Sequence, residues 1–296
     1  MNSSFRSRFT AAFIVVVVAV WNHIPANAAD AQPGDFIPAP AGTNLALMYY
    51  SYSDLSSYID KNGNAIPNSE LVTSVAIARY VRYFDLGGMI ADINILQPFG
   101  GFPQAKLGGA ELNAQAFGLG DTILVFTIWP VNDPKNNVYF GIATYLTLPT
   151  GNYDRDFAVN LSSNRWSVAI QPGLVVPLWD KWSMDLVGDI TFYGDNSDGA
   201  GGALIEQQPS MTALAWLKYS FSQSTVGSVG ITHTYLGEQK FNYVSQGDSS
   251  TTAIRGAISQ MLTPSSQVLL ELSHDIDANN SFKKEIGALF RFTAIF

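Results

Sequence analysis

The chain contains no cysteine among its 296 residues. One absence therefore excludes a disulfide framework, thiolate metal ligands, a cysteine nucleophile and a lipid-anchored cysteine. Histidine is nearly missing too, with three in all, and His23 falls in the leader described below. Charge is sparse at 14% of residues and leans acidic, with a formal net charge of -8, so a nucleic-acid partner is not expected. After residue 28 no apolar run approaches the roughly 20 residues that a membrane-spanning helix needs. No change of composition divides the remainder, so it reads as a single β domain.

What is present begins with a leader. Arg6 and Arg8 precede an apolar run from Ala11 to Trp21, followed by Pro25 and the small-x-small site Ala26-Asn27-Ala28. This is the pattern of a secretory signal peptide spanning 1–28 and cut after Ala28. Residues 29–42 are rich in Pro and Ala without periodicity. They form a tail that either hangs free or folds into the barrel mouth as a small plug, since proline cannot donate to a strand ladder.

From residue 43 to 296 the chain alternates apolar and polar residues in about twelve segments: 44–53, 70–84, 89–98, 121–131, 138–148, 164–176, 182–193, 210–221, 226–236, 250–262, 267–276 and 285–296. Each suits a tilted strand crossing a bilayer. In 182–193, Trp182, Met184, Leu186, Ile190 and Phe192 share one face, and Ser183, Asp185, Asp189, Thr191 and Tyr193 share the other. Connections alternate between short (85–88, 132–137, 177–181, 222–225, 263–266) and long (54–69, 99–120, 149–163, 194–209, 237–249). Short turns on one rim and long loops on the other define an all-β fold: one closed antiparallel transmembrane barrel with short periplasmic turns and long extracellular loops. Outward aromatics sort to the rims in this reading. Trp129, Phe140, Trp182, Tyr219, Phe221 and Phe296 lie at the periplasmic rim, and Trp166, Phe192 and Tyr235 at the outer one.

The inward face then carries the charge, and these are the candidate lumen residues: Arg79, Asp92, Asn94, Asp185, Asp189, Lys218, Arg255, Glu271, Asp275 and Arg291. Buried charges need partners. Folding each hairpin about its connection sets Asp185 level with Lys218, Arg255 level with Asp275, and Arg291 near Glu271. Arg79 and Arg82 have opposite parity; Arg79 is placed inward beside Asp92 and Asn94, with Arg82 snorkelling at the periplasmic rim. The last strand, EIGALFRFTAIF, presents Phe290, Phe292 and Phe296 on one face. It resembles the C-terminal signal through which the barrel assembly machinery recognises outer-membrane proteins.

Catalytic readings fail on geometry. In Ser273-His274-Asp275 the histidine points away from both neighbours on a strand, and no serine lies two residues beyond His233 or His274 on the same face. The run Asp195-Asn196-Ser197-Asp198-Gly199 has its glycine one place early for a calcium loop, and the glycine doublets sit in turns rather than between a strand and a helix. No enzyme activity, metal or cofactor is expected.

Three stretches resemble the outer-membrane channel family named for the meta-pathway of phenol degradation: DLGGMIADINILQPFGGF (85–102), GLGD (118–121), and YLTLPTGNYD (145–154) followed by Asn164-Arg165-Trp166. The resemblance implies a barrel for uptake of aromatic or other hydrophobic small molecules, and it brings no catalytic residues. The expected function is an outer-membrane channel for passive uptake of such molecules. The alternative is a non-transporting structural or adhesive barrel that binds a partner through its loops. Expected partners are outer-membrane lipids, the assembly machinery and a small solute; substrate and oligomeric state are not legible.

Overall fold

The computed structural model describes residues 30–296; the leader and its cleavage point lie outside the described residues. Twelve long strands form the wall: β1 (Asn44–Leu55), β2 (Glu70–Leu86), β3 (Met89–Leu107), β4 (Thr122–Asp133), β5 (Val138–Leu148), β6 (Ser167–Pro177), β7 (Trp182–Tyr193), β8 (Ser210–Ser220), β9 (Thr225–Phe241), β10 (Val244–Thr263), β11 (Ser266–Asn279) and β12 (Ile286–Ile295). Each pairs antiparallel with its sequence neighbours, and β12 closes on β1, Leu45 facing Ile295 and Asp54 facing Ile286. Closure leaves no unpaired edge, the condition for crossing hydrocarbon with strands. No helix among the described residues is long and apolar enough to cross a membrane.

Alternation along each strand sets what faces lipid and what faces the lumen. On β7, Asp185 is 3% exposed while its neighbour Leu186 is 39% exposed on the outer wall. On β2, Arg79, Val81 and Tyr83 share the inner face without any bulge between Arg79 and Arg82. Arg82 points outward at the short-turn rim, where Nη1 donates to the Gly42 carbonyl at 2.7 Å and to Asn44 Oδ1 at 3.0 Å. Trp182, Tyr219 and Phe221 form a continuous aromatic step on that rim, with consecutive centroids 4.9 Å apart.

Trp129 corrects the outward assignment. It shares parity with Ile123, Val125 and Thr127, all facing the lumen, and is 2% exposed. Its indole N–H donates to the Phe36 carbonyl at 2.9 Å, so the polar edge finds an acceptor inside. The ladder irregularity of β4 against β5 falls at Trp129 and Pro130, between Ile128 and Val131, but against β3 the register is unbroken and pairs Trp129 with Ile90, which keeps its face.

The long loops fold over the outer mouth. Ser57–Ile59, Ala65–Ile66 and Ser281–Lys283 make a small three-stranded sheet, with Tyr58 edge-on to Phe282 at 5.2 Å. Asp121, last residue of the GLGD stretch, ties two loops together. It accepts hydrogen bonds from Gly151 N (3.0 Å), Ser162 Oγ (2.6 Å), Ser163 N (2.8 Å) and Ser163 Oγ (2.9 Å).

Face assignment is directly testable at β7. Arginine at a lipid-facing midplane costs roughly 2–4 kcal/mol in such barrels. Leu186→Arg is expected to lose about that much in refolding into bilayers, and Leu186→Ala far less. Equal losses would place Leu186 away from hydrocarbon.

Candidate functional site: the lumen and its N-terminal segment

Residues 30–42 run from the short-turn rim up the inside of the barrel. At the rim, Gly42 N donates to the Tyr83 carbonyl and Tyr83 N to the Thr43 carbonyl, which hold the segment's base. Above it, Phe36 and Ala31 join one buried cluster with Val175, Leu214 and Trp216. Room for the Phe36 ring comes from two glycines, Gly141 and Gly173, directly paired across β5 and β6. A Cβ on Gly173 would stand 2.3 Å from the ring, and one on Gly141 3.0 Å from it. A side chain at either position would compete with Phe36 for the same space.

The segment is also held by charge. Asp30 meets Arg255 through Nη1 at 2.5 Å and Nη2 at 2.9 Å. Arg255 simultaneously forks onto Glu271, Nε to Oε1 at 2.9 Å and Nη2 to Oε2 at 2.7 Å, with its guanidinium 4.8 Å from the Trp216 ring centroid. Asp35 accepts from Arg291 Nη1 at 2.7 Å. Gly34 N donates to Asp185 Oδ2 at 2.8 Å, and Asp185 forms an ion pair with Lys218 at 2.5 Å. Trp216 Nε1 adds a bond to the Ala31 carbonyl at 3.3 Å. Charge-assisted bonds of this kind, bidentate above all, are the strong ones.

Of the candidate lumen residues, Asp92, Asn94, Asp185, Lys218, Arg255, Glu271, Asp275 and Arg291 are buried and Arg79 and Asp189 half-buried, and several of them pair differently from the sequence expectation. Asp185 lies opposite Trp216 and Lys218 opposite Ser183. The ion pair is diagonal, two residues from the level register, and face is preserved because the side-chain period is two. Arg255 faces Ser273, while Asp275 lies across from Ala253. Arg255 takes Glu271 instead. Asp275 accepts from Lys284 N at 2.8 Å and faces its ammonium at 3.8 Å. Arg291 is not on Glu271 either, because Asp35 and Gln267 occupy it. Arg79 Nε donates to Asn94 Oδ1 at 2.7 Å, and Asn94 Nδ2 to Asp92 Oδ1 at 2.6 Å, as the hairpin geometry led one to expect. Asp189 lines the open cavity above the segment.

That cavity, about 230 Å³, lies on the long-loop side. Ile123, Tyr145 and Leu214 give it apolar walls; Thr191, Thr212 and Thr232 give it hydroxyls. A second cavity of about 120 Å³ lies nearer the loops and shares Ile123, Thr147, Ser167, Tyr193 and Leu236 with the first. The arrangement can hold a small solute above the N-terminal segment by contact and hydrogen bonding. Sequence reasoning missed two groups of residues here. One is the carboxylates of the N-terminal segment, Asp30 and Asp35. The other is Arg165, quoted within a motif but read only as the start of a strand.

A closed twelve-stranded barrel with polar residues inside and apolar residues outside is the architecture of an outer-membrane channel. The comparisons agree. An outer-membrane channel of Pseudomonas putida F1 is similar at 30% identity and a TM-score of 0.85, over 90% of this chain and 100% of that one. A deletion variant of the monoaromatic hydrocarbon channel TodX is similar at 12% identity and TM-score 0.52, covering 91% of this chain and 93% of that one. The toluene transporter TbuX of Ralstonia pickettii is similar at 10% identity and TM-score 0.50, covering 94% and 95%. The last two show likeness of fold alone. No curated protein sequence matches. The family model described as "Putative MetA-pathway of phenol degradation" matches residues 56–292, and the chain belongs to that family.

Proposed function

We propose that the protein is a passive channel admitting small hydrophobic or aromatic molecules across the outer membrane, with residues 30–42 as its internal closure. The observation that carries this reading is the cavity of about 230 Å³ standing between the loops and the segment, walled by apolar and hydroxyl side chains. It is roomy for a single ring, since a dry cavity of about 150 Å³ accepts benzene. The inward charges, from Arg79 to Arg291, line the path and anchor the closure rather than perform chemistry; no catalytic step and no cofactor enter. Kinship with a channel at 30% identity supports transport. The hydrocarbon and toluene transporters of like fold make aromatic solutes the first to try.

Purified protein in proteoliposomes should swell with small neutral aromatics and alcohols, and a deletion strain should lose uptake of one or more of a panel of aromatics. The second reading, a structural or adhesive barrel, draws on the packed cluster around Phe36 and Trp216 that shuts the middle of the lumen. Zero permeation both with and without residues 30–39 would favour it and end the channel reading.

Export follows cleavage after Ala28, and the assembly machinery takes the chain through the outward aromatics Phe290, Phe292 and Phe296, the last 65% exposed. Deleting Phe296 is expected to lower the yield of heat-modifiable barrel while secretion into the periplasm continues. Equal barrel yields would remove that role.

A further inference from the structure

The lumen cavity above the N-terminal segment is lined by four carboxylates, Asp30, Asp189, Glu271 and Asp275, and by two cations, Arg255 and Lys284. Arg255 holds both Asp30 and Glu271, and Lys284 holds Asp275. Asp189 takes part in none of the ion pairs among the described residues. Arg165 does not supply the missing cation. It is 4% exposed, its guanidinium is stacked 4.5 Å from the Tyr193 ring centroid, and it stands outside the lining of this cavity.

The neighbours of Asp189 are neutral donors. Its carboxylate takes hydrogen bonds from the side chains of Gln171 and Thr191. Gln171 Oε1 accepts from the Tyr145 hydroxyl at 3.1 Å, which leaves its amide N–H groups for Asp189. Thr212 sits directly across from Asp189 on β8 and also lines the cavity. A carboxylate offers about four acceptor positions, so two neutral donors leave it room for more. Asp189 is half-buried, so unlike Asp185 or Glu271 it stays open to the cavity. A lone carboxylate partly withdrawn from water favours a cation over a neutral donor, because charge-assisted bonds are roughly twice as strong as neutral ones. The excess of carboxylates over cations around the cavity acts in the same direction and repels anions. At about 230 Å³, with Ile123, Tyr145 and Leu214 as apolar wall, the space takes a single ring beside that charge.

We propose that this cavity is a binding site for small aromatic ammonium ions, with Asp189 as the residue that selects them. The proposal rests on the channel reading and narrows its solute. The ammonium donates to Asp189 and to the hydroxyls of Thr191 and Thr212, and the ring lies against the apolar wall. A neutral aromatic fills the same space but leaves the carboxylate without a counter-charge.

Titration calorimetry on the purified full-length barrel near neutral pH tests this, with benzylammonium, benzyl alcohol, methylammonium and benzoate as probes. Benzylammonium is expected to bind roughly tenfold or more tightly than benzyl alcohol, because a charge-assisted bond replaces a neutral one. Methylammonium should bind weakly because it has no ring, and benzoate should not bind. Asp189→Asn should lower the affinity for benzylammonium to that for benzyl alcohol. Thr212→Lys keeps Asp189 but sets an internal ammonium across from it, and should equally abolish benzylammonium binding. Heat-modifiable mobility of each variant separates loss of the site from loss of the barrel. Wild-type protein that binds benzylammonium no better than benzyl alcohol, or methylammonium as well as benzylammonium, overturns the site. So does a folded Asp189→Asn barrel that keeps the preference. Permeation of benzyl alcohol into wild-type proteoliposomes is scored separately. If no solute permeates while benzylammonium binds, the channel reading falls and the Asp189 site stands; if benzyl alcohol permeates and the preference is absent, the reverse holds.

Discussion

Deleting residues 30–39 is expected to convert a nearly silent barrel into an open pore whose selectivity moves towards anions. The deletion removes Phe36 from between Gly141 and Gly173 and withdraws Asp30 and Asp35 from the lumen. Arg255 keeps Glu271 and Lys218 keeps Asp185, but Arg291 loses the carboxylate it holds. Two negative charges leave and no positive charge goes with them, so the field along the path becomes more favourable to anions. Single-channel recording gives the conductance, and reversal potential in a salt gradient gives the sign. The selectivity shift should fade at high salt, since the screening length falls from about 10 Å at 0.1 M to about 3 Å at 1 M. Gly173→Leu reaches a similar end without shortening the chain, by filling the space of the Phe36 ring. Unchanged conductance in both variants would mean that the segment does not close the pore. A shift towards cations would mean that Asp30 and Asp35 do not set the lumen's charge balance.

The barrel was legible because two simple regularities coincide along the whole chain. Alternating faces fix which residues go in, and alternating connection lengths fix which end is which. Strand limits moved mainly outward, as β3 runs on beyond the wall into the long loop to Leu107 and β9 likewise to Phe241. Parity failed at Trp129, where an aromatic that suits an interface belt was assigned outward although it shares a face with Val125 and Thr127. Hydropathy alone cannot separate an interfacial tryptophan from one that supplies an N–H to an inner segment.

The lumen was legible as a set of residues and not as a set of pairs. Face assignment needs only a period of two. Pairing needs the register, which the turn sets and which slips in steps of two without disturbing the faces. That is why Asp185 and Lys218 still meet, while Arg255 takes Glu271 in place of Asp275 and Arg291 takes Asp35 and Gln267. The missing piece was Asp30 and Asp35, which lie in a stretch without periodicity. A count of inward charges could not have found them, because the inward acids Asp92, Asp185, Asp189, Glu271 and Asp275 already outnumber the inward cations Arg79, Lys218, Arg255 and Arg291.

The last expectation turns on that register. Asp185 and Lys218 are 3% and 5% exposed and form an ion pair diagonally, while Ser183 is the residue level with Lys218. Removing one member of a buried pair strands the other, at a cost of about 3–5 kcal/mol, whereas removing both is much milder. Asp185→Ala should therefore destabilise the barrel strongly, and it also takes the acceptor from Gly34 N. Lys218→Ala should cost a similar amount by leaving the carboxylate without its cation. The double variant should cost far less than the sum of the two, a coupling that unfolding in denaturant can resolve as a double-mutant cycle. Ser183→Ala, at the level position, should change stability little and show no coupling to Lys218→Ala. Coupling at Ser183 with none at Asp185 would mean that the ammonium turns towards its level neighbour. Additive effects of Asp185→Ala and Lys218→Ala would mean that water, rather than the partner, satisfies each charge, and that this part of the lumen is wet and wide.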